Sequence, residues 1–184
     1  MADMLVKLYA LPVVAPLLAD LSRRGVEIRQ AQPTEKRVIA EWVRQHFTES
    51  AAAECEVAIE QRPISCYIAI EKQTGGPPRA KPYDLPPEML LGFACYDVAS
   101  RGMFGPEGVR ADRRGQGIGK ALLLTCLHAM KRERYAYAVI GWAGPTEFYA
   151  KTVGATLIEG SEPGIYRGPL IGKPISGDKE QCHG

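Results

Sequence analysis

From Val109 to Leu122 the chain reads Val-Arg-Ala-Asp-Arg-Arg-Gly-Gln-Gly-Ile-Gly-Lys-Ala-Leu. A strand end runs into a basic turn. Gly115, Gly117 and Gly119 then fall at alternate positions, and a helix pattern follows. The chemistry on offer is anion binding. Glycines let successive backbone N–H groups face a phosphate with no Cβ in the way, and a helix N-terminus adds partial positive charge. Arg113, Arg114 and Lys120 bring full charges. A nucleotide P-loop would need a glycine where Arg114 stands and a hydroxyl where Ala121 stands. A dinucleotide fingerprint needs G-x-G-x-x-G directly after a strand; here the order is G-x-G-x-G after a basic turn. A plain helix start explains neither the glycines, which cost helix stability, nor the arginines.

Arg114, Gly117 and Gly119 spell R-x-x-G-x-G behind a V-x-x-x-x-R strand exit. This resembles the coenzyme A pyrophosphate loop of the GNAT N-acetyltransferase superfamily. About 30 residues on, Glu147 to Ala155 (EFYAKTVGA) resembles that superfamily's Y-x-K-x-G-F signature. The likeness runs from about Gly92 to Glu159. Two departures stand out. The second signature has one extra residue, giving Y-x-K-x-x-G-A, and Gly144-Pro145 replaces the usual Asn ahead of its helix.

The resemblance implies an α/β (α+β) fold with a mixed, mostly antiparallel sheet, splayed central strands and flanking helices. It implies transfer of an acetyl group from acetyl-CoA to a primary amine by direct attack. No G-x-S-x-G nucleophile motif suggests an acyl-enzyme. Coenzyme A would meet the backbone of Gly108, Val109 and Arg110. Its pyrophosphate would meet Arg114, Gly115, Gln116, Gly117, Ile118, Gly119 and Lys120. Arg113 is as readily a solvated charge. Tyr149 is the expected general acid, since a phenol with a pKa of about 10 keeps its proton at neutral pH; its bland alternative is packing. Phe148 belongs beside the pantetheine arm or in the core. Lys151 is a solvated helix cation that could approach the coenzyme. Glu107 is the candidate base, with Glu147, Asp97 and a water chain as alternatives, and each carboxylate could equally be an ordinary surface group.

The acceptor is expected to be a small molecule. It would be lined by the first helices and by Arg79, Lys81, Tyr83 and Asp84. Two other functions stay open: protein or peptide N-acetylation, and a non-catalytic acetyl-CoA sensor, since fold does not fix function.

The elements that must position these groups are legible from pattern. Val13 to Arg24 reads as a short amphipathic helix and Val26 to Ala31 as a strand. Val38, Ile39, Trp42, Val43 and Phe47 make a helical stripe, and Thr48 to Ile59 reads as another helix. Ile64 to Glu71 and Met89 to Val98 read as strands of a hairpin. Between them, residues 73–88 form a Pro/Gly-rich loop. Phe104 to Arg110 reads as a splayed strand broken by Gly105, Pro106 and Gly108. Gln116 to Arg132 is the clearest helix. A strand at Tyr135 to Ile140, a helix at Pro145 to Val153 and strands at Ala155 to Glu159 and Ile165 to Arg167 follow.

One acetyltransferase domain over 1–184 is expected, with a helical N-terminal extension at 1–25 and a tail at 168–184. The extension and the tail could serve a homodimer contact. With 23 Lys+Arg against 21 Asp+Glu, no polybasic nucleic-acid surface is expected. The longest apolar stretch, Tyr9 to Ala19, holds Pro12 and Pro16 and is too short for a membrane span. Absence of a signal-peptide pattern and five irregularly spaced cysteines predict free thiols in a reducing cytoplasm and no metal.

Overall fold

The computed structural model describes residues 1–72 and 85–166. The expected acceptor loop with Arg79, Lys81, Tyr83 and Asp84 therefore lies outside the described residues, as does the tail at 168–184.

Seven strands form one sheet. They are β1 (Met4–Lys7), β2 (Val26–Gln30), β3 (Cys66–Glu71), β4 (Leu90–Tyr96), β5 (Met103–Val109), β6 (Tyr137–Ile140) and β7 (Thr156–Leu157). Their order is β2-β3-β4-β5-β6-β1-β7. Every pairing is antiparallel except β5 with β6. The helices are α1 (Ala15–Arg23), α2 (Lys36–His46), α3 (Glu49–Glu60), α4 (Ile118–Arg132) and α5 (Thr146–Val153). Buried residues of α1, α4 and α5 join one apolar cluster. Those of α2 and α3 join a second. The mixed, mostly antiparallel sheet flanked by helices is the architecture expected from sequence.

Side chains cap two of the helix starts, while α1, α4 and α5 have none. Thr48 caps α3 by accepting from the Ala51 N–H at 3.1 Å. Ahead of α2, Gln32 and Glu35 form a capping box, and Glu35 also takes a two-pronged bond from Arg29. The longest helix, α4, has neither. Its N-cap is Gly117, in the left-handed region at φ 85°, with no side-chain hydrogen bond.

The splay of the central strands is real. β5 and β6 pair only through Met103–Val139 and Phe104–Ile140. From Gly105 onward the side of β5 away from β4 has no neighbouring strand among the described residues.

Two sequence expectations are corrected. Residues 1–25 are not purely a helical extension. They open with β1, which sits inside the sheet between β6 and β7. Met4 and Val6 point inward at 2% and 0% exposure. Four residues with two inward positions are too short a pattern to announce a strand. Ile165 to Arg167, read as a strand, lies partly in a 3-10 turn at Gly164–Tyr166.

Because β1 completes the sheet, Val6→Asp should destabilise the chain by about 3 kcal/mol or more, the cost of burying an unpaired charge. Urea denaturation read by circular dichroism checks this. An unchanged midpoint would return the segment to the status of an appendage.

Candidate active site

The site forms where β5 leaves β6 and enters α4. The N–H groups of Gly115, Gln116, Gly117, Ile118, Gly119 and Lys120 donate to no protein group among the described residues. The first N–H after them, that of Ala121, bonds Gly117 O at 3.0 Å. Gly115 and Gly117 adopt φ 75° and 85°, a region costly to any residue with a Cβ. Six free donors at the positive end of a 15-residue helix make an anion cradle.

The surrounding charges brace this loop. Arg110 takes Asp112 with two bonds, at 2.7 and 3.1 Å, and caps the carbonyls of Glu88 and Leu90. Its side chain is thereby spent on structure, leaving its backbone for the strand role expected of it. Arg113 pairs with Glu71 at 2.6 Å. Arg114 Nε donates to Val109 O at 3.2 Å, folding over the open edge of β5. Lys120 is exposed. Ile118 is buried at 1%, so only its backbone can face a ligand. Gln116 offers its carbonyl to Arg24 Nη2 at 3.0 Å. Nothing in the sequence marked Arg24 as a brace; α1 reaches the loop only through the fold.

Behind the cradle lies Glu107. Its residue keeps some exposure, but its Oε1 is sealed from solvent and has no hydrogen-bond partner. A Cβ on Gly119 would come within 3.3 Å of that oxygen. Burial pushes the Glu107 carboxyl up to about 8. Tyr149, on α5, is 8% exposed. Burial first, and the Glu107 charge second, raise its phenol above the ordinary range. Cys126 is raised the same way, by burial and then by Glu107, while its thiol donates to Ala94 O at 3.7 Å. Glu107 and Tyr149, expected from sequence as base and acid, therefore share one electrostatic neighbourhood. Cys126 was not anticipated there.

The remaining expected residues divide. Gly108 is buried against the Phe47 ring. Phe148 is half-buried and meets Tyr149 edge-on at 5.2 Å. Lys151 faces solvent and pairs with Glu147 at 3.3 Å, so both are surface groups. Asp97 accepts from the Gly102 N–H and from Tyr135 Oη, which ties it to a turn and removes it as a base.

Solved structures share this architecture. The glucosamine N-acetyltransferase region of a fungal multi-domain β-N-acetylglucosaminidase matches with a TM-score of 0.64, at 13% identity, over 85% of this chain and 19% of that one. A GCN5-related N-acetyltransferase from Sphaerobacter thermophilus matches with a TM-score of 0.58, at 18% identity, over 85% of this chain and 48% of that one. The chain has the GNAT fold. A GCN5-related N-acetyltransferase-like protein from Streptococcus suis adds a TM-score of 0.51 at 13% identity, over 86% of this chain and 58% of that one. The chain thus spans well under two thirds of the length of these GNAT-fold structures. No family model and no curated protein matches its sequence. Among the described residues, no helix is long and apolar enough to cross a membrane.

A carboxyl held near 8 in the folded chain and near 4.5 when free makes stability pH-dependent. Between those values the folded chain binds the extra proton. Stability should therefore fall as pH rises from about 5 to 8, by up to about 1.4 kcal/mol per unit. Glu107→Gln should flatten this slope in urea titrations across that range. An identical slope in the variant would mean that Glu107 ionises freely in the folded chain.

Proposed function

We propose that this chain is a member of the GNAT superfamily that transfers an acetyl group from acetyl-CoA to a primary amine. The observation that carries the reading is the row of six unpartnered N–H groups opening onto a splayed strand, with a buried carboxyl and phenol beyond it. When bound, acetyl-CoA supplies an activated thioester. The N–H groups of Gly115 to Lys120 hold its pyrophosphate, with Arg114 swinging from Val109 O to add charge. That swing frees the Val109 carbonyl, on the open edge of β5, for the pantetheine arm. Arg23, Arg24, Lys72 and Glu71 line an open cleft on the α1 side.

The Glu107 carboxylate takes the proton of the incoming ammonium. A base near 8 is well matched to an amine, because it is part-ionised at working pH yet still strong. Tyr149 Oη keeps its proton throughout this range and gives it to the leaving sulfur. The water-poor pocket that raises both groups also strengthens their interactions with developing charge. The acceptor we favour is a small amine. An amino sugar is the first to try, since the fungal region of like fold is a glucosamine N-acetyltransferase.

Thiol release from acetyl-CoA should depend on an added amine. A panel of amino sugars, polyamines, amino acids, aminoglycosides and peptide N-termini would name the class. Binding with no release on any of them would favour a sensor. The rate should rise with pH through about 8 as Glu107 ionises, then level. Glu107→Gln should remove that rise and lower turnover about 100-fold or more. Tyr149→Phe should lower kcat while leaving coenzyme binding intact; unchanged turnover at every pH would exclude it as the acid. Calorimetry should find Arg114→Ala binding acetyl-CoA roughly 10- to 100-fold more weakly. Unchanged affinity would remove Arg114 from the site.

A further inference from the structure

Cys55, Cys66 and Cys95 converge on the sheet face covered by α2 and α3. Cys66 and Cys95 stand directly opposite each other across the β3–β4 ladder. Cys55 comes down onto them from α3. The three sulfurs lie within 4.8 Å of one another, and Cys55 Sγ is 3.6 Å from Cys66 Sγ. All three residues are 0% exposed, inside the apolar cluster beneath α2 and α3. Three sulfurs sharing one centre at about 2.3 Å stand roughly 3.4 Å apart around a pyramidal centre and roughly 4 Å apart around a planar one. The observed spacing, 3.6 Å for Cys55–Cys66 and within 4.8 Å for all three, leaves only a small closure of the side chains to reach the pyramidal value.

Charge narrows the choice of ion. No Lys, Arg or His donates to these sulfurs among the described residues, and the outside charge felt by Cys55, that of Glu56, is negative. Three thiolates around a monovalent or divalent ion would leave net negative charge in an apolar core, which is strongly disfavoured. Around a trivalent ion the product is neutral. Among the described residues the cluster offers three ligands and no fourth. A trivalent metalloid with a lone pair needs no fourth.

We propose that Cys55, Cys66 and Cys95 form a buried three-sulfur site for a trivalent thiophilic metalloid of the arsenic(III) class. Binding replaces three As–O bonds of arsenous acid with three As–S bonds. Each thiol proton leaves with a hydroxide as water, and no atom changes oxidation state. Occupancy ties α3 to β3 and β4.

The test uses the full chain, reduced with a phosphine and exposed to arsenite both folded and during refolding from urea. Native mass spectrometry should show one arsenic gained and three hydrogens lost, and the thermal midpoint should rise. X-ray absorption should find three sulfur neighbours and no oxygen. Cys126→Ala should keep all of this. Cys55→Ala, Cys66→Ala and Cys95→Ala should each lose it, with unliganded melting curves confirming that they fold. Should one not fold, the sulfur count of the wild type decides alone. No uptake by either route, an arsenic with oxygen neighbours, uptake that survives Cys55→Ala, or tighter binding of Zn(II) or Cu(I) than of arsenite would overturn the proposal.

Discussion

Among the described residues, six consecutive backbone N–H groups, Gly115 to Lys120, donate to no protein group. A helix start always leaves donors over, and they go to water, a side chain or a ligand. Here the molecule caps α3 with Thr48 and the turn before α2 with Gln32 and Glu35, yet starts its longest helix bare. The loop is held open by charges that point outward from it. Arg110 grips Asp112 and two carbonyls, Arg113 grips Glu71, and Arg24 grips the Gln116 carbonyl. These bonds tie the turn before the loop and the Gln116 carbonyl, and none of them uses an N–H of Gly115 to Lys120. Such an edge must end a sheet pairing. β5 and β6 therefore separate after Phe104 and Ile140.

The same separation sets the electrostatics behind the cradle. Glu107 is paired with Ala94 on one side only, and its Oε1 is buried where nothing among the described residues donates to it. A carboxylate there is poorly solvated, so the proton stays on to a higher pH. The phenol of Tyr149 feels both the burial and the residual charge. The two groups proposed as base and acid are moved in the same direction by one cause. The shift suits both proposed roles, since it brings the carboxyl to about 8 and holds the proton on the phenol.

The glycine loop, the hairpin, the splayed strand and the long helix were all readable in the sequence, because each is written in local pattern. Gly115, Gly117 and Gly119 announced a loop open to an anion, and Gly105, Pro106 and Gly108 announced a strand that could not pair regularly. What was not readable depends on register and contact across long separations. β1 is four residues with two inward positions, and only its place between β6 and β7 makes it structural. Arg24 reaches Gln116 across 92 residues. Cys55, Cys66 and Cys95 have no ligand-like spacing in the chain, since a ladder register and a helix drop bring them together. Glu107 was the candidate base with Glu147 and Asp97 as alternatives, and the fold ties Asp97 to a turn and leaves Glu147 in solvent.

The central claim is that the bare start of α4 is the seat of a pyrophosphate. Amide chemical shifts recorded during titration with acetyl-CoA test it most directly. The account predicts that the N–H resonances of Gly115 through Lys120 move downfield together, with a common midpoint, as they acquire phosphate acceptors. Saturable binding with those six resonances unmoved would place the coenzyme elsewhere and contradict the account.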